Sequence, residues 1–240
     1  MRVAVLSDIH ANLAALDAVI GSLGSVDAIW HLGDVVGYGP EPDGVVERLR
    51  EVGAVGVRGN HDAAAVGGDE IEWFNPDARR AMEWTRRRIS DRTRDWLAAL
   101  PERHGEPDFS LVHGSPREPI WEYIVSVPIA RANLALLTTR FGLYGHTHLP
   151  MVFAEVDGRV EQIAPGENSS FGLDGRRALV NPGSVGQPRD GIVTASYLLL
   201  DTETRRCTWQ RARYDVAAVQ SAMTDAGLPT RLVDRLSYGL

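Results

Sequence analysis

Val3-Ala4-Val5-Leu6-Ser7-Asp8-Ile9-His10 sets the architecture of the whole chain. Its first four residues are an apolar run with β-branched members, the pattern of a strand covered on both faces. The run stops abruptly on a hydroxyl, a carboxylate and an imidazole. Strands of this kind belong to α/β folds, where ligands bind in the crevice beyond the strand carboxyl ends.

Moving outward, Asn12 to Leu23 carries Leu13, Leu16, Val19, Ile20 and Leu23 at helical spacing. Ala28 to Leu32 reads as a second strand. Asp43 to Val52 reads as a helix that Gly53 ends, and Val55 to Val57 as a third strand. This alternation predicts a largely parallel first half. From about 63 to 104 the pattern turns helical and charged, over Ala78 to Ile89 and Asp91 to Leu100, and is read as a helical insertion in a single domain spanning 1–240. The Arg86-Arg87-Arg88 run in it reads as a solvated helix face. Strand signals return at Phe109 to Val112, Leu143-Tyr144, Met151 to Val156, Arg159 to Ile163, Ala178 to Val180 and Thr194 to Leu200. Asp157-Gly158 is a hairpin turn signal. The second half therefore looks more antiparallel. Val216 to Leu236 reads as one or two helices broken near Gly227 and Pro229.

Five segments carry chemistry: Asp8-Ile9-His10, Gly33-Asp34, Gly59-Asn60-His61-Asp62, His113 and Gly145-His146-Thr147-His148. Taken singly, each has an ordinary reading. Gly33-Asp34 is a turn, Asn60 and Asp62 are helix caps, and His113 is a hydrogen-bonded core histidine. Taken in order, most of them where a strand-like run ends, they deliver oxygen and imidazole donors to one edge of a sheet. Residues i and i+2 of an extended chain point the same way, so Asp8 with His10, and His146 with His148, can each reach one site. A mixed oxygen and imidazole set suits Mn, Fe, Zn, Co or Ni better than Ca or a thiolate-demanding site.

This series of motifs resembles the calcineurin-like metallophosphoesterases, specifically their compact bacterial and archaeal phosphodiesterase-type branch. The matching motifs span Asp8 to His148, and Asn181-Pro182-Gly183-Ser184-Val185-Gly186 extends the likeness to about Arg189. The resemblance implies a four-layer α/β/β/α sandwich of two mixed sheets with flanking helices, the site lying at one end of the sheets. It implies that Asp8, His10, Asp34 and His148 hold one metal ion, and Asp34, Asn60, His113 and His146 a second, with Asp34 bridging. His61 would stay off the metals, face the substrate and act as the catalytic residue. The expected cofactors are two divalent transition-metal ions (Mn, Fe, Zn, Co or Ni), with Mn foremost for activity. Such a pair, about 3.5–4 Å apart, clamps phosphate and yields a bridging hydroxide that attacks phosphorus in line. His61 would protonate the leaving alkoxide or hydrogen-bond a phosphoryl oxygen. The implied activity is hydrolysis of a small phosphate ester, a phosphodiester first and a phosphomonoester second. The alternatives are a noncatalytic metal-binding scaffold of the same fold and a protein phosphatase.

The chain departs from the pattern of several family branches at one place. Where those branches carry an acid that orients the catalytic histidine, this sequence has Val35-Val36-Gly37. Asp62 is the local substitute, or else a helix cap. Arg58 and Arg189 are candidate substrate-binding residues, and Tyr38 a candidate for the cleft wall. His31 reads as a core or supporting histidine, His104 as an exposed loop residue, and Trp73 and Trp121 as core packing first and cleft lining second.

Bulk properties fit this reading. A chain of 240 residues, 44% hydrophobic, can bury one substantial core. The net charge of -7 argues against duplex-DNA binding, which needs a basic surface. It leaves anionic substrates open, because bound cations reverse charge locally. Cys207 is the single cysteine, so no intrachain disulfide forms and a reducing cytoplasm is the expected setting. No stretch reaches the ~18 apolar residues of a membrane span, and the N-terminal run is too short for a signal peptide.

Overall fold

The computed structural model describes residues 1–67 and 69–240, with only the backbone of 69 and 70; Gly68, inside the segment expected as a helical insertion, lies outside the described residues. The first half runs β1 (Arg2–Leu6), α1 (Leu13–Ser22), β2 (Ala28–His31), α2 (Pro42–Glu51), β3 (Val55–Gly56) and α3 (Asn60–Val66). A 3₁₀ turn (Asp69–Trp73), α4 (Pro76–Arg88), α5 (Asp91–Ala99), β4 (Arg103–Gly105) and β5 (Phe109–Val112) follow. The second half runs α6 (Val127–Leu136), β6 (Phe141–Leu143), β7 (Pro150–Val156), β8 (Arg159–Ile163), β9 (Ser170–Gly172), β10 (Ala178–Pro182), β11 (Ala195–Asp201), β12 (Arg206–Ala212), α7 (Val216–Asp225) and α8 (Thr230–Arg235).

Two mixed six-stranded sheets result, ordered β3-β2-β1-β11-β12-β9 and β4-β5-β6-β10-β7-β8. In the first, β1 is parallel to β2 and β2 to β3, while β11 runs antiparallel to β1. In the second, β5, β6 and β10 are parallel and flanked by antiparallel strands. Strand alternation sorts the side chains into layers. Val3 and Val5 of β1, Leu198 and Leu200 of β11, and Cys207 and Trp209 of β12 meet Phe109, Leu111, Phe141, Leu143, Val152 and Val180 of the other sheet. Ala4 and Leu6 point the opposite way, into a layer with Leu16 and Val19 of α1 and Val45, Val46 and Leu49 of α2. Phe153 and Leu179 face α6, against Ala130 and Leu134. The layers are helix, sheet, sheet, helix, as the sequence implied.

Local chemistry explains several boundaries. Asn12 caps α1 by accepting from Ala15 N at 3.1 Å, Asn75 caps α4, and Ser90 caps α5. The β7–β8 hairpin turns on Asp157 and Gly158, both left-handed (φ 49° and 75°), as its turn signal required. The helical segment after α3 is bound to it through carbonyl ends: Arg86 Nε donates to Ala64 O and Arg94 Nη1 to Ala65 O. Arg86 is thus half-buried and partnered, which corrects the reading of that arginine run as wholly solvated. Among the described residues, no helix is long and apolar enough to cross a membrane.

Candidate active site

Five strands end at one edge. β1 is followed by Asp8 and His10, β2 by Asp34, β3 by Asn60 and His61, β5 by His113, and β6 by His146 and His148. All eight side chains are at most 3% exposed. The loops that carry them are tied together by main chain. Asp8 N donates to Gly33 O (3.1 Å) and His10 N to Asp34 O (2.9 Å). The Asn181–Gly186 segment supports both loops from behind: Asn181 Nδ2 donates to Gly145 O (2.8 Å), Ser184 Oγ to Asp8 O (2.8 Å) and Gly186 N to Asp8 O (3.0 Å). A Cβ on Gly186 would stand 1.8 Å from the Ile9 carbonyl oxygen, so this approach admits only glycine.

Asp8, His10, Asp34, His146 and His148 all adopt left-handed φ, between 49° and 66°. This corrects the expectation that the two paired motifs are extended. The ligand loops turn sharply instead, and backbone in this region is strained for non-glycine residues. The turn also separates the second pair. Ligand atoms of Asp8, His10, Asp34 and His148 lie within 4.8 Å of one another, and those of Asp34, His113 and His146 form a second such group. Asp34 belongs to both.

The hydrogen bonds of the imidazoles show what this arrangement can hold. One ring nitrogen of each faces a backbone carbonyl: His10 Nδ1 to Val36 O (3.3 Å), His113 Nδ1 to Leu32 O (2.8 Å), His148 Nδ1 to Gln187 O (2.6 Å) and His146 Nε2 to Trp121 O (3.2 Å). A carbonyl only accepts, so each of those nitrogens carries a proton. In a neutral ring the other nitrogen then presents a lone pair. These lone pairs converge: His10 Nε2 lies 3.1 Å from His148 Nε2, and His113 Nε2 lies 3.0 Å from both His146 Nδ1 and Asn60 Oδ1. Asp34 Oδ2 is 3.4 Å from His113 Nε2 and 3.7 Å from His10 Nε2; Asp8 Oδ1 is 3.3 Å from His148 Nε2. Acceptors facing acceptors at these distances fit a pair of cations, with carbonyls orienting each ligand from behind.

The electrostatics agree. Burial alone would raise the Asp34 carboxyl, but His113, His61 and His10 outweigh it and hold Asp34 well below the usual carboxylate range. Burial drives Asp8 up to about 7. His113 is pulled the other way, to about 9, because Asp34 and Asp8 overcome the effect of its burial. This spot demands positive charge. Burial, reinforced by neighbouring cationic groups, holds His10, His146 and His148 well below the ordinary histidine value, so these rings stay neutral, the form that ligates metals.

His61 lies beside this centre. Its backbone N–H donates to Asp34 Oδ1 (2.9 Å), and its ring Nδ1 is 3.0 Å from Met82 Sδ. The ring stands among Tyr38, Phe74 and His10, with centroids 4.3 to 4.8 Å away. Gly37 closes the remaining side: a Cβ there would meet His61 Nδ1 at 2.4 Å and Met82 Sδ at 2.9 Å. The space an orienting acid would need is therefore filled by glycine backbone and a thioether. Asp62 plays the capping role. Its carboxylate accepts from Gly59 N and Val36 N, both at 3.0 Å, and so fastens the start of α3 to the Asp34 loop.

A cleft of about 320 Å³ opens onto the centre, lined by Asp34, His61, Tyr38, His146 and Arg189 among others. Arg189 reaches the cleft as the sequence suggested. Arg58 does not line it; its guanidinium pairs with Glu102 at 3.5 Å. Trp73 is 69% exposed, and with Trp121 and Phe74 it forms an aromatic wall of the cleft, which corrects its reading as core. His104 is half-buried on β4, bonded to Glu106 at 3.1 Å. His31 is fully buried, stacked on Trp96, and neither ring nitrogen has a hydrogen-bond partner. Sequence reasoning missed Tyr123, which stacks on His146 at 3.7 Å, and Met82. Neither sits in a motif; Met82 reads simply as one apolar position of α4.

Comparison with known proteins places this geometry. The family model of the calcineurin-like phosphoesterase superfamily domain matches residues 1–205. The crystal structure of a metallophosphoesterase from Sphaerobacter thermophilus is 42% identical and superposes over 100% of both chains with a TM-score of 0.93. An uncharacterized protein of Methanocaldococcus jannaschii is 33% identical over 248 residues, covering 99% of this chain and 98% of its own. A hypothetical protein of Pyrococcus horikoshii, 20% identical, shares the fold over 100% of this chain and 98% of its own, with a TM-score of 0.84.

Proposed function

The chain belongs to the calcineurin-like phosphoesterase superfamily, and from that footing we propose that it is a dinuclear, metal-dependent hydrolase of phosphate esters, phosphodiesters first and monoesters second. The observation that carries this reading is the sharing of Asp34 between two groups of buried, lone-pair-bearing ligands. Asp8, His10, Asp34 and His148 would hold one cation, and Asp34, Asn60, His113 and His146 the other. When bound, such a pair supplies Lewis acidity toward the phosphoryl oxygens and a hydroxide nucleophile near neutral pH. Mn is the ion expected to sustain most activity, while the same donors accept Fe, Zn, Co or Ni.

The remaining work falls to residues off the metals. His61 has Nδ1 committed to Met82, so Nε2 is the nitrogen that meets substrate, donating to the leaving oxygen or to a phosphoryl oxygen. Burial lowers its ring to about 4; an anionic phosphate alongside raises it toward the working range. Arg189 adds fixed positive charge at the cleft, and the aromatic wall takes the organic arm of an ester and excludes water. Within this reading the helical segment of about 63–104 serves the site through Phe74 and Met82. The net charge disfavours duplex DNA as a partner. Buried Cys207, the only cysteine, suits a reducing cytoplasm.

Turnover of bis-p-nitrophenyl phosphate with added Mn²⁺, and its loss on chelation, tests the assignment; a scaffold would stay inert. His61→Ala should keep its metal by elemental analysis and lose about 10²–10⁴-fold in rate on an ester with a poor leaving group. Near-normal turnover by that variant would remove His61 from the chemistry.

A further inference from the structure

Beside the cleft at the metal-ligand centre lies a larger one, of about 640 Å³, walled by α8. The two share Tyr38, Asn75, Tyr123 and Arg189, so they form one continuous trough. Arg231 and Arg235 project into the second cleft from α8, one helical turn apart, and Arg189 stands at the junction. Like charges at i and i+4 destabilise a helix, and here a third guanidinium faces them.

Among the described residues no Asp or Glu side chain forms an ion pair with any of the three. Asp190, the carboxylate adjoining Arg189, is paired with Arg211 instead. Asp77 and Asp234 also line the cleft, without closing on these arginines. Arg189 Nη2 donates to the neutral Gln187 Oε1 at 2.9 Å, and its Nε is buried without a partner. Arg235 Nε donates to the main-chain oxygen of Leu240, the last residue described, and so is partnered, which leaves Arg189 and Arg231 as the guanidiniums without an acidic partner. Partial burial, with the nearness of Arg189 and Arg231, lowers Arg235 to about 10. In a chain of net charge -7, Arg189 and Arg231 stand in one cavity without an acidic partner and beside Arg235, a feature that an anion would complete.

We propose that this cleft is a subsite for a second phosphate of the substrate, so that the natural ester carries two phosphoryl groups joined by a spacer, one at the Asp34 centre and the other on Arg189, Arg231 and Arg235. The inference rests on the hydrolase reading and narrows it. An ester with a single phosphate fills only the first cleft and leaves Arg231 and Arg235 without an anion. A bisphosphate spans the trough, with Tyr38 and Tyr123 flanking the spacer.

The test uses two probes that differ by one group: the p-nitrophenyl ester of thymidine 5′-phosphate, and the same ester with an added 3′-phosphate. With the Mn²⁺-loaded full-length chain, kcat/KM should favour the second by about 10–100-fold, the equivalent of one or two charge-assisted hydrogen bonds, and mostly through KM. Arg231→Gln and Arg235→Gln should each bring the ratio toward 1. Calorimetry with thymidine 3′,5′-bisphosphate against thymidine 5′-phosphate reads the same preference without turnover. If neither ester is hydrolysed but the arginine-dependent preference in binding persists, the hydrolase reading falls and the subsite stands. If both are hydrolysed with a ratio near 1, the subsite is overturned and the hydrolase reading survives. An equal loss on both probes in the arginine variants also overturns it, as does activation of the monophosphate ester by free inorganic phosphate, which would make the cleft an effector site.

Discussion

Gly37→Ala isolates what orients His61. A Cβ at position 37 would lie 2.4 Å from His61 Nδ1 and 2.9 Å from Met82 Sδ, while ordinary contact begins at about 3.4 Å. Either the imidazole or the loop must therefore give by roughly 1 Å, and a displacement of that size at a catalytic group costs about 10²-fold in rate. The backbone adds its own penalty, since Gly37 has φ of 89° and a left-handed alanine costs about 1–2 kcal/mol. The three atoms nearest the new methyl group belong to His61 and Met82, not to the proposed ligands. Gly37→Ala should thus lose about 1–3 kcal/mol of stability by urea titration and keep wild-type metal content by elemental analysis. On an alkyl phosphodiester it should lose about 100-fold in kcat. On a nitrophenyl ester, whose leaving group needs little protonation, the loss should be much smaller. Wild-type kcat on the alkyl ester, with the stability loss present, would refute the reasoning: His61 would then tolerate displacement, and Gly37 and Met82 would not set its position.

Three further outcomes follow from buried groups. Burial without a partner lowers His31 to about 4. Between pH 6.5 and 4 the unfolded chain therefore binds a proton that the folded chain refuses, and stability falls by about 3 kcal/mol as pH drops through that window. His31→Leu should remove this component from a urea titration series compared with wild type; parallel pH profiles would contradict it. Asp34→Asn removes a carboxylate from both ligand groups, so metal content after dialysis should drop below two ions per chain; two retained ions would contradict a shared ligand. Asp62→Ala leaves the buried N–H groups of Val36 and Gly59 unpaired and should cost about 2–4 kcal/mol in denaturant unfolding, with no loss expected if water replaces the carboxylate.

How much of this was legible beforehand depended on where each signal lay. β1 and β2 were readable because Val3 to Leu6 and Ala28 to Leu32 are continuous apolar runs, whereas the layer order came from the family resemblance alone. The candidate ligands were readable because most of their segments end such a run with a polar donor. β12 was passed over: Cys207 and Trp209 face the other sheet and Ala212 the helical layer, but Thr208 between the first two and Gln210 and Arg211 after them hide the alternation. α3 was missed because Gly59-Asn60-His61-Asp62 reads as a loop motif until Asp62 is seen accepting from Gly59 N. Met82, Arg231 and Arg235 lie far from every motif in sequence and Tyr123 sits in the loop after β5; the docking of α4 brings Met82 to His61, and that of α8 brings the arginines to the second cleft. Contacts that depend on how separate elements dock leave no local pattern to read.

The strained loops show why the site and the fold are hard to separate. Ten non-glycine residues adopt left-handed φ among those described, and half of them are proposed ligands. Residues in this region cost of order 1 kcal/mol or more each, and they persist only where their surroundings over-determine them. Here the surroundings are visible: Gly33 O and Asp34 O hold the Asp8–His10 loop from one side, and Ser184 and Gly186 hold it from the other. Asp34 is in turn fixed by His61 N, and its neighbouring loop by Asp62. A second set of bonds, from the imidazoles to the carbonyls of Val36, Leu32, Trp121 and Gln187, aims the lone pairs of His10, His113, His146 and His148 inward. A cation that satisfies those lone pairs therefore stabilises the turned loops as well as binding to them, so ligand geometry and backbone strain form one coupled system, with Asp34 as the residue through which both halves are joined.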